Sequence, residues 1–321
     1  MSYRSCILIT GGTTGLGYQC ALDLAKKQPK SQIIIASRSD KDSAAISINK
    51  ILNQKNTFYL PLDLSSLVQV RAFVQGWESE KFPPIQALLL NAGLQFPQGL
   101  HLTKDGIEAT FGVNHVGHAL LFHLLFPHLQ DGARIIVTSS GTHDPAQNSG
   151  MPDAKYTSGE ELAHPAPVSP TTDGRGRYGT SKLANILWTY ALDRRLATNK
   201  EKRITVNAFD PGLMPGTGLA REYSAVLRFL WEYVLPHVKP LVRIMFKTSN
   251  IHTTSESGQS LAWVAISDEL KGVSGVYFEG RKEIKSSIDS YKVEDQEGLW
   301  QWTVKHVATD EEEARRFEAL Q

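Results

Sequence analysis

The sequence predicts a single-domain α/β fold, a doubly wound parallel sheet of about seven strands with helices on both faces. Three observations carry that expectation. Short continuous apolar runs recur along the chain, as in strands buried on both sides of a parallel sheet. Helix-length amphipathic segments alternate with them, the signature of βαβ units. The first run, residues 6–10, passes through a glycine-rich turn directly into a helical pattern, and in that context such a turn can cradle a phosphate.

Composition sets the outer limits. The 321 residues, 41% hydrophobic and 21% charged, suit one large α/β domain with a substantial core. A formal net charge of +1 gives no global electrostatic pull toward nucleic acid or an anionic membrane. The two cysteines, Cys6 in a strand and Cys20 in a helix, read as buried reduced thiols rather than a disulfide framework. No signal-type stretch opens the chain, and no apolar run approaches the ~18 residues that a membrane span needs. A soluble, cytoplasmic protein with no transmembrane segment is expected.

The elements then follow in order. After the first strand come Gly11-Gly12-Thr13-Thr14-Gly15-Leu16-Gly17 and a helix at 18–27. Glycines let backbone approach a pyrophosphate, and a helix N-terminus offers free N–H groups and the positive end of a dipole. Gly11, Thr13, Thr14, Gly15, Leu16 and Gly17 are the expected contacts. A second strand (32–37) closes the βαβ unit and leads into Arg38. A nucleotide with a free ribose 2′-hydroxyl is usually met there by an acidic side chain. None stands at Ile35, Ala36, Ser37 or Arg38. A guanidinium suits a 2′-phosphate, through a charge-assisted bond worth about 1.5–3 kcal/mol. The expected cofactor is therefore NADP(H), not NAD(H).

A helix (43–53) and a third strand (57–60) lead to Asp63 and Leu64, both expected at the cofactor. Asp63 either caps the helix running to about Trp77 or accepts from an adenine amino group. The fourth strand (87–90) ends in Asn91-Ala92-Gly93, small residues where a ligand can lie against backbone. Thr103 is expected to cap a long helix to about Leu129 that carries Asn114, His115, Gly117 and His118. The fifth strand (134–139) brings Ser139 and Ser140 to its carboxyl end. Residues 141–177, rich in proline and glycine, form a long insert without periodicity that should wrap the rim of a pocket.

A sixth strand (204–209) ends in Asp210-Pro211-Gly212. Residues 222–246, inside a lid region of 220–250, are rich in aromatics. They read equally as a helix pair on the core, a mobile lid over an apolar ligand, or a surface resting on membranes. A helix (257–266), a seventh strand (275–278), a terminal helix (291–306) and a charged, solvated helical tail (309–321) complete the chain. No repeat, low-complexity tract or linker divides residues 1–321. His115, His118, His123 and His128 form no metal-ligand pattern with carboxylates, and Trp300 and Trp302 read as core or contact residues.

One spacing carries chemistry. Tyr178 and Lys182 are four residues apart in a helical segment, which puts phenol and ammonium on one face. A fixed cation favours phenolate, so such a tyrosine can exchange protons far below its free pKa of about 10. With Thr10-Gly11-x-x-x-Gly15-x-Gly17, Asn91-Ala92-Gly93, Asn114, Ser140 and Pro211-Gly212 in order around it, the chain resembles the short-chain dehydrogenase/reductases. The match runs from residue 6 to about 280 and implies a Rossmann-type fold. Residues 111–118 (Phe-Gly-Val-Asn-His-Val-Gly-His), the insert and residues 211–219 look most like the retinol-dehydrogenase and light-dependent protochlorophyllide-reductase branch. The chain departs from the second in lacking a cysteine in insert or lid, and from many of the first in lacking a hydrophobic N-terminal anchor.

The resemblance implies roles. Tyr178 would donate a proton to a developing alkoxide, and Ser140, rather than Ser139, would hydrogen-bond the same oxygen. Lys182 would hold the nicotinamide ribose and lower the tyrosine pKa, with Asn114 fixing a water behind it. Pro211 and Gly212 would line the cofactor site, and Thr217 in the loop after them would touch the nicotinamide carboxamide or the phosphates. The expected function is an NADPH-dependent oxidoreductase that reduces a ketone or aldehyde of a bulky apolar substrate, or runs the reverse. Reduction of a carbon–carbon double bond is the alternative chemistry, and a non-catalytic NADP-sensing protein the alternative class. Expected partners are a small apolar carbonyl or alcohol, and no nucleic acid. Peripheral membrane contact is left open, and so is the choice between monomer and homodimer.

Overall fold

Eight strands form one sheet in the order β3-β2-β1-β4-β5-β6-β7-β8, in a computed structural model that describes residues 3–166, 173–217, 229–235 and 250–321. β1 (Ser5–Thr10), β2 (Ser31–Ser37), β3 (Thr57–Pro61), β4 (Ile85–Leu90), β5 (Leu129–Thr138), β6 (Thr205–Asp210) and β7 (Tyr277–Glu279) run parallel. The eighth strand, β8 (Lys282–Ile284), was not expected. It turns back antiparallel through Gly280, whose φ of +58° suits the tight hairpin. The strand order reverses between β1 and β4, so their carboxyl ends open the crevice where ligands bind in such sheets.

Alternation along the strands divides the core into two layers. Cys6, Leu8 and Ile34 face α3 (Leu67–Glu80) and the helices beyond it, packing with Phe73, Trp77, Phe122, Leu187 and Trp188. Ile7, Ile9, Ile33 and Ile35 face α1 (Gly15–Lys27) and α2 (Ala44–Leu52), packing with Cys20, Leu24 and Ile48. Each fully buried aliphatic side chain contributes about 1.5–3 kcal/mol. Both cysteines are free and buried.

The cap expected at Thr103 and the capping alternative for Asp63 are both overturned. Ser66, not Asp63, caps α3 by accepting from the Gln69 N–H; Asp63 instead accepts from Ser65 and pairs with Lys104 at 3.0 Å. Thr103 lies in a turn, and the following helix starts later, at α4 (Ala109–Phe111), where the Glu108 carboxylate accepts from the Phe111 N–H at 2.6 Å. A π turn (Gly112–Val116) and α5 (Gly117–Leu125) continue that helix.

The insert has more order than expected. It holds two short 3-10 turns (Gly141–His143 and Pro145–Gln147), then α6 (Gly159–Ala163) and the start of α7 (Gly174–Thr198). After β6, α8 (Thr254–Ile266) packs on α1, and α9 (Val293–Val307) covers α7, with Trp300 fully buried beside Trp188. The charged tail forms α10 (Glu311–Glu318). It is not purely solvated: Phe317 and Leu320 are buried, and Glu313 pairs with Arg71 at 2.7 Å. Of the 222–246 segment, only residues 229–235 are described, so most of the expected lid lies outside the described residues.

Candidate active site

The cleft begins where β1 runs into α1. A Cβ added at Gly17 would lie 2.2 Å from the Gly11 carbonyl oxygen, so the turn closes tightly only around glycine. Thr14, at the N-cap of α1, makes no side-chain cap bond, and no acidic residue stands in the first turn. The free N–H groups and dipole end are left to an anion, which fits a pyrophosphate. Gly11, Thr13, Thr14, Gly15, Leu16 and Gly17 all line the cleft, whose volume of about 420 Å³ is in the range of cofactor sites.

Arg38 follows β2 on the cleft wall and is exposed, and no ion pair occupies it among the described residues. Asp63 and Leu64 line the wall beyond β3. At the end of β4, the N–H groups of Asn91 and Ala92 donate to the Thr10 hydroxyl at 2.8 and 2.9 Å. The Asn91 amide donates to the Thr10 carbonyl at 2.9 Å. These bonds hold the ends of β1 and β4 together, with Asn91, Ala92 and Gly93 on the cleft surface.

Tyr178 and Lys182 reach the same cleft from α7. Lys182 Nζ lies 5.6 Å from the Tyr178 ring centre and donates to the Thr138 carbonyl at 3.1 Å. Burial pushes its pKa down to about 8, and the negative charge of Asp210 opposes the fall. Asn114, in the π turn, accepts from the Leu94 N–H at 2.9 Å and donates to Leu94 O and Ser181 Oγ, both at 3.0 Å. A Cβ at Gly93 would sit 3.4 Å from Lys182 Nζ and 3.5 Å from Asn114 Oδ1. Ammonium and amide therefore flank one point above that glycine.

The two serines part ways. Ser139 is buried and donates to the Lys182 carbonyl at 2.8 Å, which spends its proton on the backbone of α7. Ser140 is half-buried and accepts from the Thr142 N–H at 3.3 Å. The cleft wall itself takes in Ser139 and not Ser140. Asn114 and Gly212 also stand behind the wall, whereas Pro211 and Thr217 are on it. Trp231 donates from its indole to the Thr217 carbonyl at 3.0 Å, which ties residues 229–235 to the cleft.

One residue that motif reasoning passed over is Asp210, read from sequence only as the end of a strand. Its carboxylate is buried and accepts from the Gly212 N–H and the Asn250 amide, both at 2.9 Å. Burial raises its pKa, and no cation is in ion-pair contact with it among the described residues. The visible clue was an acid next to Pro211-Gly212 at the carboxyl end of a parallel strand. Leu94, Val113 and Met214 give the wall apolar surface; Leu94 carried no motif, and Val113 and Met214 lay in the stretches 111–118 and 211–219 without a role of their own.

The short chain dehydrogenase family model matches residues 5–152. The chain is 33% identical to polyprenol dehydrogenase of Homo sapiens over 304 residues, covering 91% of this chain and 82% of that protein. It is 33% identical to retinol dehydrogenase 14 of Homo sapiens over 299 residues, covering 88% and 80%. Among solved structures, a blue fluorescent protein from a metagenomic library, in complex with NADPH, matches with a TM-score of 0.62 at 20% identity. That match covers 87% of this chain and 98% of the other, and speaks for the fold.

Proposed function

The chain belongs to the short-chain dehydrogenase family, in its retinol-dehydrogenase-like branch, and on that premise we propose that it interconverts an alcohol and its aldehyde or ketone on a bulky apolar substrate, using NADP(H). The observation that carries the reading is that a single cleft takes in Tyr178, Lys182, the glycine turn and Arg38. Polyprenol and retinol, in the names of the two relatives, are both isoprenoid alcohols, so an isoprenoid alcohol or aldehyde is the first substrate class to try. Exposed Phe229, Leu230 and Tyr233, on the segment tied to Thr217, suit an apolar chain or a lipid surface.

NADPH, when bound, would supply the hydride. Arg38 would hold the 2′-phosphate, Gly11–Gly17 and the α1 N-terminus would hold the pyrophosphate, and Asn91-Ala92-Gly93 with Pro211 and Thr217 would line the rest. Tyr178 holds the proton that the substrate oxygen receives, and the Ser140 hydroxyl orients that oxygen. Lys182 keeps a positive charge beside the phenol, and Asn114 holds the water that returns protons to it. No helix among the described residues is long and apolar enough to cross a membrane, and we place the reaction in the cytoplasm.

The test is a panel of isoprenoid aldehydes with NADPH, and the matching alcohols with NADP⁺, followed by product identification. Reduction to an alcohol with every double bond kept is expected. A saturated product with its carbonyl intact would assign the chemistry to the carbon–carbon double bond. NADPH bound without turnover across the panel would make the protein a sensor.

A further inference from the structure

Three histidines on the helix of Asn114, in the π turn and α5, are buried: His115, His118 and His123. Two of them face the C-terminal helices, His115 bonding Thr303 at 2.9 Å and His123 stacking on Phe317 at 4.6 Å. His118 alone reaches toward the cofactor turn. The Thr10 hydroxyl already accepts from two N–H groups, those of Asn91 and Ala92. Its one proton must go elsewhere, and His118 Nε2 at 2.8 Å is a better acceptor than the Leu89 carbonyl at 3.3 Å. Nε2 therefore accepts, and the ring proton sits on Nδ1, 3.1 Å from the main-chain carbonyl of Asn114. Every member of the chain Thr10–His118–Asn114 is at most 3% exposed, so water does not compete for these bonds.

Asn114 sits in the π turn, where the Gly117 N–H reaches back five residues to Gly112. Such turns distort the regular helix bonding and are frequent at functional sites. We propose that His118 is a positioning residue that couples the glycine turn to the helix of Asn114, so that seating the cofactor at Thr10–Gly17 fixes the backbone of Asn114. The coupling rests on the cofactor reading given above. It acts in both directions, since a helix held by His118 also holds Thr10, and through it the ends of β1 and β4.

Amide hydrogen exchange on the full chain, with and without NADPH, tests it. In the wild type, NADPH should slow exchange both at 11–17 and at 112–118, the second by about fivefold or more, the lower end of ordinary coupling between sites. In His118→Phe the protection at 11–17 should persist while the NADPH-dependent part at 112–118 is lost. His118→Asn, whose amide mimics Nδ1, and His118→Gln, whose amide mimics Nε2, each keep one bond and should each lose the coupling, should the Phe variant fail to fold. A purely structural role would raise exchange at 112–118 equally with and without NADPH. That result, or undiminished coupling in any of the folded variants, overturns the inference. No protection at 11–17 in the wild type with either NADPH or NADH overturns the cofactor reading, and this inference with it.

Discussion

Lys182 holds its charge largely buried at the cleft wall, and its pKa of about 8 places the loss of that charge near working pH. The ammonium is present below that value and disappears as pH rises through it. Carbonyl reduction should therefore fall off above about pH 8, in a step that titrates one group. Asp210→Asn removes the negative charge that opposes the fall and should move that alkaline limb to lower pH; an unmoved limb in the folded variant would end the role given to Asp210. Arg38 makes a different kind of demand, because its partner is a phosphate. Arg38→Ala should weaken NADPH roughly 10- to 150-fold and NADH about threefold at most, by the worth of one charge-assisted bond; equal losses in titrations of both would remove Arg38 from cofactor choice. At this scale the sequence was readable where chemistry demands a residue type, as at Tyr178 and Lys182. It was silent on Asp210, because a buried acid looks like any other until its surroundings are known.

Among the elements, the strands were the legible part. A run such as Ile33–Ile35, buried on both faces, has no solvent-facing positions to disguise it. β8 was illegible for the opposite reason: Lys282 and Glu283 are exposed, and of its three residues Ile284 packs, half-buried, on the cluster around Tyr277. Caps misled because Asp63 and Thr103 satisfy the local preference as well as the residues that won. What decided was tertiary: Asp63 has Lys104 as partner, and Glu108 both caps α4 and pairs with buried Arg177 at 3.2 Å. The π turn at Asn114 has no sequence period of its own, so the helix through 109–125 looked regular. The insert looked structureless because α6 is only five residues long, too short for a helical pattern to show.

Taken as a whole, the molecule fastens the helix of Asn114 with neutral histidines, to the C-terminal helices through His115 and His123 and to Thr10 through His118. Burial pushes His115 and His123 down to about 3 and His118 to about 4. Unfolded, each titrates near pH 6.5, so the unfolded state takes up the protons first as pH falls. Stability from these groups is complete above about pH 6.5 and drains away down toward pH 3–4, at up to about 1.4 kcal/mol per histidine per pH unit. Three together amount to about 4 kcal/mol between pH 7.5 and 5.5, which denaturant titrations at those two values should resolve; pH-independent stability there would mean that the rings protonate without unfolding. The central claim is that the cleft transfers hydride with Tyr178 as the proton donor. Its most direct test is turnover of NADPH with the best isoprenoid aldehyde by Tyr178→Phe, which leaves the ring in place and removes only the hydroxyl. A fall in kcat of about 10²- to 10⁴-fold with NADPH affinity kept is predicted; full turnover by the folded variant would contradict it.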